Sequence, residues 1–116
     1  MSDLTSAIEA AKELFEGVEE RYGPITHRKM FGGAGLYAEG RIFALIVRGD
    51  LMLKADPKSA PDLAAEFAAA GAERWEYESS RRKAPVAMPY WTLPGAAVDD
   101  PEEACAWAAK SIEATR

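Results

Sequence analysis

Three glycines fall within four positions of the segment "MFGGAGLYAEG", residues 30–40, and their spacing is one that nucleotide-binding proteins use. Gly33, Gly35 and Ala38 match the G-x-G-x-x-A pattern of a dinucleotide-binding fingerprint. In that fingerprint the glycines let the backbone approach a pyrophosphate, which then rests on the N-terminus of the helix that follows. The helix is therefore the part of the pattern that decides whether a phosphate site is present.

No helix fits after these glycines. Glu39-Gly40 predicts a tight turn and Ile42-Phe43 predicts a strand, so too few residues remain between them. The lysine followed by serine or threonine that completes a P-loop is also missing. We therefore expect no cofactor here, and interpret the glycines as a bulge or kink in one long strand, about residues 28–38.

Other residues that could do chemistry are few. His27 is the single histidine and Cys105 the single cysteine, which excludes histidine metal clusters, two-histidine mechanisms and a disulfide framework. His27 is interpreted as part of a polar strand face and Cys105 as a small core residue. The carboxylates at positions 99, 100, 102 and 103 are interpreted as the start of a helix rather than a cation site. We expect no catalytic residue, no cofactor and no metal.

Charge restricts the class of partner. The net charge is −5, whereas nucleic-acid-binding domains usually show a basic face. The acidic residues concentrate in the two terminal segments, and the middle of the chain is mildly basic. Arg28, Lys29, Arg81, Arg82 and Lys83 are the candidate phosphate contacts if nucleic acid is bound. Nucleic acid is the less favoured partner, because no known nucleic-acid-binding motif accompanies these residues.

Length and hydropathy predict one domain over residues 1–116, with no membrane partner. No apolar run reaches the ~20 residues of a membrane helix. The first twenty residues are acidic and amphipathic, unlike a secretory signal, so a cytoplasmic location is expected.

The pattern along the chain predicts an α+β domain in which helices pack on an antiparallel sheet. The first helix is expected to end at Gly23-Pro24, and the last to begin with Asp100 as N-cap, Pro101 at N1 and Glu103 at N3. Between them lie three or four strands, a helix and two strands. The predicted strands cover residues 26–31, 36–38, 42–47, 51–54, 75–77 and 86–93, and the middle helix covers residues 59–70.

The run "VAMPYW", residues 86–91, is predicted to be an edge strand or to contain a bulge, because Pro89 cannot donate a ladder hydrogen bond. Its large side chains either cap the core or form an exposed patch where a second subunit docks. Met88, Tyr90 and Trp91 are the candidate residues for self-association.

Three stretches carry a resemblance to a known family: "RKMFGGAGLYAEGRIFALIVRGDLMLKAD", "YESSRRKAPVAMPYWTLP" and "DDPEEACAWA". In order and spacing they resemble the N-terminal domain of the TfoX/Sxy competence-regulator family, over residues 28 to about 108. The resemblance implies a two-layer α/β sandwich like that of type III secretion chaperones, with about five strands in α-β-β-β-α-β-β-α order. Regulators of this family carry a second, C-terminal helical domain, and this chain is expected to correspond to the first domain alone.

The resemblance also implies a non-enzymatic role in regulating genes for DNA uptake. Combined with the residues, it favours a domain that acts through a protein partner or as a homodimer. Two alternatives stay open: direct DNA binding through the basic loop, and a small-molecule-binding protein or enzyme of unknown type.

Overall fold

The computed structural model describes residues 3–30, 32–77 and 86–116. Four α-helices and six strands are found in these ranges, together with short 3₁₀ turns at Glu16–Val18 and Gly95–Ala97. In chain order they are α1 (Asp3–Leu14), α2 (Glu19–Tyr22), β1 (Thr26–Met30), β2 (Gly33–Ala38), β3 (Arg41–Val47), β4 (Asp50–Lys54), α3 (Pro61–Ala69), β5 (Arg74–Tyr77), β6 (Val86–Thr92) and α4 (Pro101–Ala114).

The strands form one antiparallel sheet in the order β1-β2-β3-β4-β6-β5. Side chains from α1, α3 and α4 join one face of this sheet in the main apolar core. The expected α+β fold, a two-layer sandwich with an antiparallel sheet, is therefore confirmed. Four strands precede α3 where the resemblance implied three, so the strand count and the α-β-β-β-α-β-β-α order are corrected.

The additional strand comes from the glycine-rich segment. The chain reverses there instead of continuing as one kinked strand over residues 28–38, so that interpretation is wrong. β1 ends at Met30, β2 begins at Gly33, and these two residues pair with each other. Gly32 has a φ of +74°, which side chains disfavour and a tight reversal requires.

Two further hairpins connect β2 to β3 and β3 to β4. In both turns the two central residues have positive φ, as in a type I′ turn: Glu39 and Gly40 in the first, Arg48 and Gly49 in the second. This geometry matches the right-handed twist of the strands. Register is thereby set locally from β1 to β4.

The first helix is interrupted, contrary to the prediction of one helix as far as Gly23-Pro24. α1 stops at Leu14 and a 3₁₀ turn precedes α2. A Cβ on Gly17, within that turn, would lie 3.0 Å from the Sγ of Cys105 on α4. The missing side chain lets this turn approach α4 closely.

β6 lies between β4 and β5, so its predicted edge position is wrong and the alternative, a bulge, is what the structure shows. Arg74 pairs with Trp91 and Glu76 pairs with Ala87, so β6 has extra residues at this point. Pro89 falls within the bulge. Its carbonyl accepts a hydrogen bond of 3.0 Å from the backbone N–H of Ala55, whose own carbonyl accepts from the indole N–H of Trp91.

α4 begins as its sequence predicts. The Asp100 carboxylate accepts a hydrogen bond of 3.0 Å from the backbone N–H of Glu102, and Pro101 occupies the first helical position. The helix then buries Ala104, Ala108 and Ile112 against the sheet.

No helix within the described ranges has the length and apolar character needed to cross a membrane.

Candidate functional site

The sheet has two faces, and residues paired across neighbouring strands lie on the same one. Pairing places Leu36, Ala44, Leu53 and Trp91 on the face that packs against the helices, which we call the covered face. Residues that alternate with these lie on the opposite side, which we call the open face. Its apolar members are Met30, Tyr37, Ile42, Leu45, Val47, Met52, Trp75, Tyr77, Met88 and Tyr90.

The open face carries its own apolar cluster. Leu45, Met52 and Tyr90 form a buried centre, and partly buried side chains from neighbouring strands surround it. Every side chain of this cluster comes from a strand, whereas the buried helix residues all belong to the main core. Within the described residues, strand side chains alone therefore cover this cluster.

Aromatic rings extend the cluster toward β5. The ring of Trp75 meets Tyr77 and Tyr90 edge-on, with centroids 6.3 and 6.5 Å apart. Tyr77 is 51% exposed, the highest value among the large aromatic side chains described. Burial raises the pKa of Tyr90 above that of an ordinary tyrosine, and the nearby Tyr37 adds to the shift. The open face is thus a continuous apolar surface that is only partly desolvated.

At the β1 side of the cluster, the missing side chain of Gly35 leaves room for neighbouring side chains to pack together. A Cβ on this glycine would lie 2.7 Å from the Cδ1 of Ile42 and 3.1 Å from the Cε of Met30. The same Cβ would lie 3.3 Å from Tyr37. These three side chains converge over the glycine and join β1 to the apolar centre.

Two cations among the described residues lie on this face. Arg28 is placed there by its pairing with Gly35, and its guanidinium lies 5.8 Å from the centre of the Tyr37 ring, a cation–π contact. Lys54 pairs with Tyr90 on β6. The ion pairs found among the described residues join Arg21, Lys110 and Arg116 to carboxylates elsewhere. Neither Arg28 nor Lys54 has a carboxylate partner in the described ranges.

The structure places the candidate nucleic-acid and self-association residues in different parts of the molecule. Arg28, Met88 and Tyr90 lie on the open face. Lys29 pairs with the buried Ala34 and so belongs to the other side of β1. The basic run 81–83 lies outside the described residues.

Trp91 belongs to the covered face. Its indole N–H donates a hydrogen bond of 2.9 Å to the carbonyl of Ala55, and its ring stacks on Phe67 at 6.2 Å. Its structural role is to hold β6 and α3 together inside the core.

Sequence reasoning missed the strand residues that make the open face apolar, above all Ile42, Leu45, Val47 and Met52. A signal for them existed, because "IFALIV", residues 42–47, is continuously apolar rather than alternating. Such runs are typical of strands that bury side chains on both faces. The run therefore indicated a second apolar face.

A polar network joins the C-terminal end of α4 to the turn between β2 and β3. The Tyr22 hydroxyl donates a hydrogen bond to Glu113, which raises the pKa of Tyr22. Arg116 holds both carboxylate oxygens of Glu39 at 2.9 Å, which lowers the pKa of Glu39, and its guanidinium lies 5.5 Å from the Tyr22 ring. The network fastens α4 to the β2–β3 turn, and we interpret it as structural.

The described residues bring no chemical group into a catalytic arrangement that we can identify. His27 is exposed on the edge strand β1, while the Cys105 thiol on α4 contacts the carbonyl of Leu14 at 3.5 Å. No group of three or more His, Cys, Asp or Glu side chains in the described ranges is placed to hold a metal ion.

Comparison with known families gives one match. The family model of the TfoX N-terminal domain matches residues 16–115 of the 116-residue chain. No curated protein is significantly similar to the chain. The match covers all six strands, α3 and α4, and therefore the whole of the open face.

Proposed function

The chain belongs to the TfoX N-terminal domain family, and from this membership we propose that it is a non-enzymatic regulatory domain that binds another protein through the open face. TfoX-type proteins are linked to the regulation of competence genes, which supports a regulatory role. The family is not a known enzyme family.

The open face is the observation that carries the proposal. A sheet in a two-layer fold usually presents polar side chains to water on its uncovered side. Here that side carries an apolar cluster with Met30, Val47 and Met88 at its partly exposed margin. Covering such a surface contributes about 25 cal/mol per Å² of apolar area before the costs of association are subtracted.

Self-association is the second candidate function of the open face, with another copy of the chain as the partner. Met88 and Tyr90 lie on it, as the predicted homodimer would require, while Trp91 supports the strand from the covered side. In a dimer of this kind the same patch would occur on both subunits.

Direct DNA binding has weaker support from the described residues. Arg28 and Lys29 are neighbours in sequence but lie on opposite faces of β1, so they form no joint phosphate site. DNA binding would show an affinity that falls steeply with salt concentration.

Site-specific photo-crosslinking in the native cell tests the proposal. A photoreactive amino acid replaces Val47 or Tyr77 on the open face, and Glu9 on the exposed side of α1 is the matched control. After nuclease treatment, we expect protein adducts from the first two positions and far fewer from position 9. Equal yields from all three positions would refute an open-face partner, and adducts containing only this chain would show a homodimer instead.

A further inference from the structure

We propose that the partner presents an acidic amphipathic helix: an apolar stripe, flanked by aspartate or glutamate, that lies along the open face. The inference rests on the proposed function, because it takes the open face to be the protein-binding surface. It goes further by stating which chemistry that surface selects.

The apolar part of the face suits a helix. Met30 and Met88 contribute partly exposed, flexible thioether side chains, and Trp75 provides a large ring at one side. Methionines adapt their shape to the side chains of a helical stripe. The covered face of the same sheet already packs three helices, so the sheet's twist is compatible with helix packing.

The cations on the open face favour acidic residues beside the apolar stripe of the partner helix. Arg28 and Lys54 border the apolar cluster without a carboxylate partner in the described ranges, although acids outnumber bases by 19 to 14 in the chain. A helix with carboxylates beside its apolar stripe would supply the two missing partners. Opposite charges at the rim of an interface favour the correct partner and penalise a basic one.

Several of the protein's own carboxylates lie on the helix layer. Glu9 and Glu13 are exposed on α1, and Glu102 and Glu103 are exposed on α4. The helix layer is therefore acidic. Pairing with β3 places one carboxylate, Asp50, on the open face, but within the described ranges it forms no ion pair with Arg28 or Lys54. An acidic partner is therefore attracted to one side of the molecule and repelled from the other.

Two other occupants fit the charges less well. A second copy placed face to face would bring Arg28 and Lys54 of both subunits into the same interface, which like charges oppose. A single strand of nucleic acid needs a cationic track with exposed rings on which bases stack. The described part of the open face offers two cations, and Tyr90 is buried among its neighbours.

Two synthetic helical peptides test the inference. They share one apolar stripe and differ only in the flanking residues, glutamate in one and lysine in the other, and each carries a fluorophore for anisotropy titrations. We expect the glutamate peptide to bind the full chain about tenfold more tightly at low salt. The preference should shrink at about 1 M salt, where the Debye length is about 3 Å. This comparison uses the unmodified protein, so no variant has to fold.

Charge variants then locate the effect. The double variant Arg28→Glu/Lys54→Glu should reverse the preference between the two peptides. Lys29→Glu, on the other side of β1, is the matched control and should leave the preference unchanged.

Several outcomes would overturn the inference. Equal affinity for both peptides would refute the charge selection, and the crosslinks from positions 47 and 77 would still support the open face as a docking surface. Failure of both peptides to bind, while those crosslinks persist, would mean that the partner is not such a helix. Tighter binding of a fluorescent oligothymidylate at the same face would assign the face to nucleic acid. A dimer that the glutamate peptide cannot dissociate would assign it to a second copy.

Discussion

The two faces of the sheet are built from the same strands but differ in how completely their apolar side chains are buried. On the covered face, Leu36, Phe43 and Leu53 are fully buried beneath the helices. On the open face, Met30, Val47 and Trp75 stay partly exposed, and the cluster is completed by strand side chains alone within the described residues. The helices therefore close one face, whereas the other leaves apolar side chains partly accessible to solvent.

The largest expected effect concerns the backbone at the start of the open face. A Cβ on Gly33 would lie 1.9 Å from the carbonyl oxygen of Ile46, and a backbone atom there cannot move without breaking the β2–β3 pairing. We expect Gly33→Ala to lower the free energy of unfolding by more than about 4 kcal/mol. Gly35→Ala meets mobile side-chain ends instead and should cost about 1–3 kcal/mol. Urea denaturation measures both, and similar costs would contradict this account of the backbone.

Adjacent residues on β3 compare the two faces directly. Ile46 is 1% exposed on the covered face, and Val47 is half-buried on the open face. Ile46→Thr should cost about 2–4 kcal/mol, because it leaves a cavity and buries a hydroxyl. Val47→Thr should cost less than about 1 kcal/mol, because water reaches the new hydroxyl. If denaturation curves give equal losses, the faces are not distinct in the way described.

Ser111, on the buried side of α4, offers a smaller test. Its hydroxyl is fully buried and has no hydrogen-bond partner among the described residues. Ser111→Ala should raise the free energy of unfolding by about 1 kcal/mol, because it removes an unsatisfied group and improves helix propensity. Ser6→Ala on the exposed side of α1 controls for helix propensity. An equal gain from both variants would show that the buried hydroxyl costs nothing.

The smallest expected effect concerns the attachment of the helix layer to the β2–β3 turn. Arg116 lowers the pKa of Glu39, so this ion pair contributes stability above the ordinary glutamate pKa of about 4.3. The contribution is lost as the pH falls through the lower value of the folded state. Wild type should therefore be slightly more stable than Arg116→Gln at pH 7, and the difference should vanish in acid. A difference that persists at pH 2 would exclude the ion pair as its cause.

Local signals in the sequence predicted several parts of this fold. The Glu39-Gly40 turn and the start of α4 depend on residues only a few positions apart, and both are found as expected. The glycine-rich segment was harder to interpret, because the same glycines suit a bulge and a reversal. The choice between them depends on the backbone of β3, which lies against Gly33.

The open face depends on relations that sequence spacing does not contain. β6 reaches its central place by pairing with β4, which lies across α3 and β5 in the chain. That pairing brings Tyr90 and Met88 beside Met52 and completes the cluster. Local pattern therefore predicted the strand itself, while its position in the sheet required the whole fold.

The placement of β6 has a consequence for how the chain folds. The four strands from β1 to β4 are linked by tight turns. Each pairs with its neighbour in sequence, so this part of the sheet can form rapidly. The pairing of β4 with β6 forms more slowly, because α3 and β5 lie between these two strands in the chain. Bringing the strands together has the entropic cost of closing a long loop. Until it forms, the β4 edge is unprotected, so the interval before β6 docks is when newly made chains are most prone to aggregate.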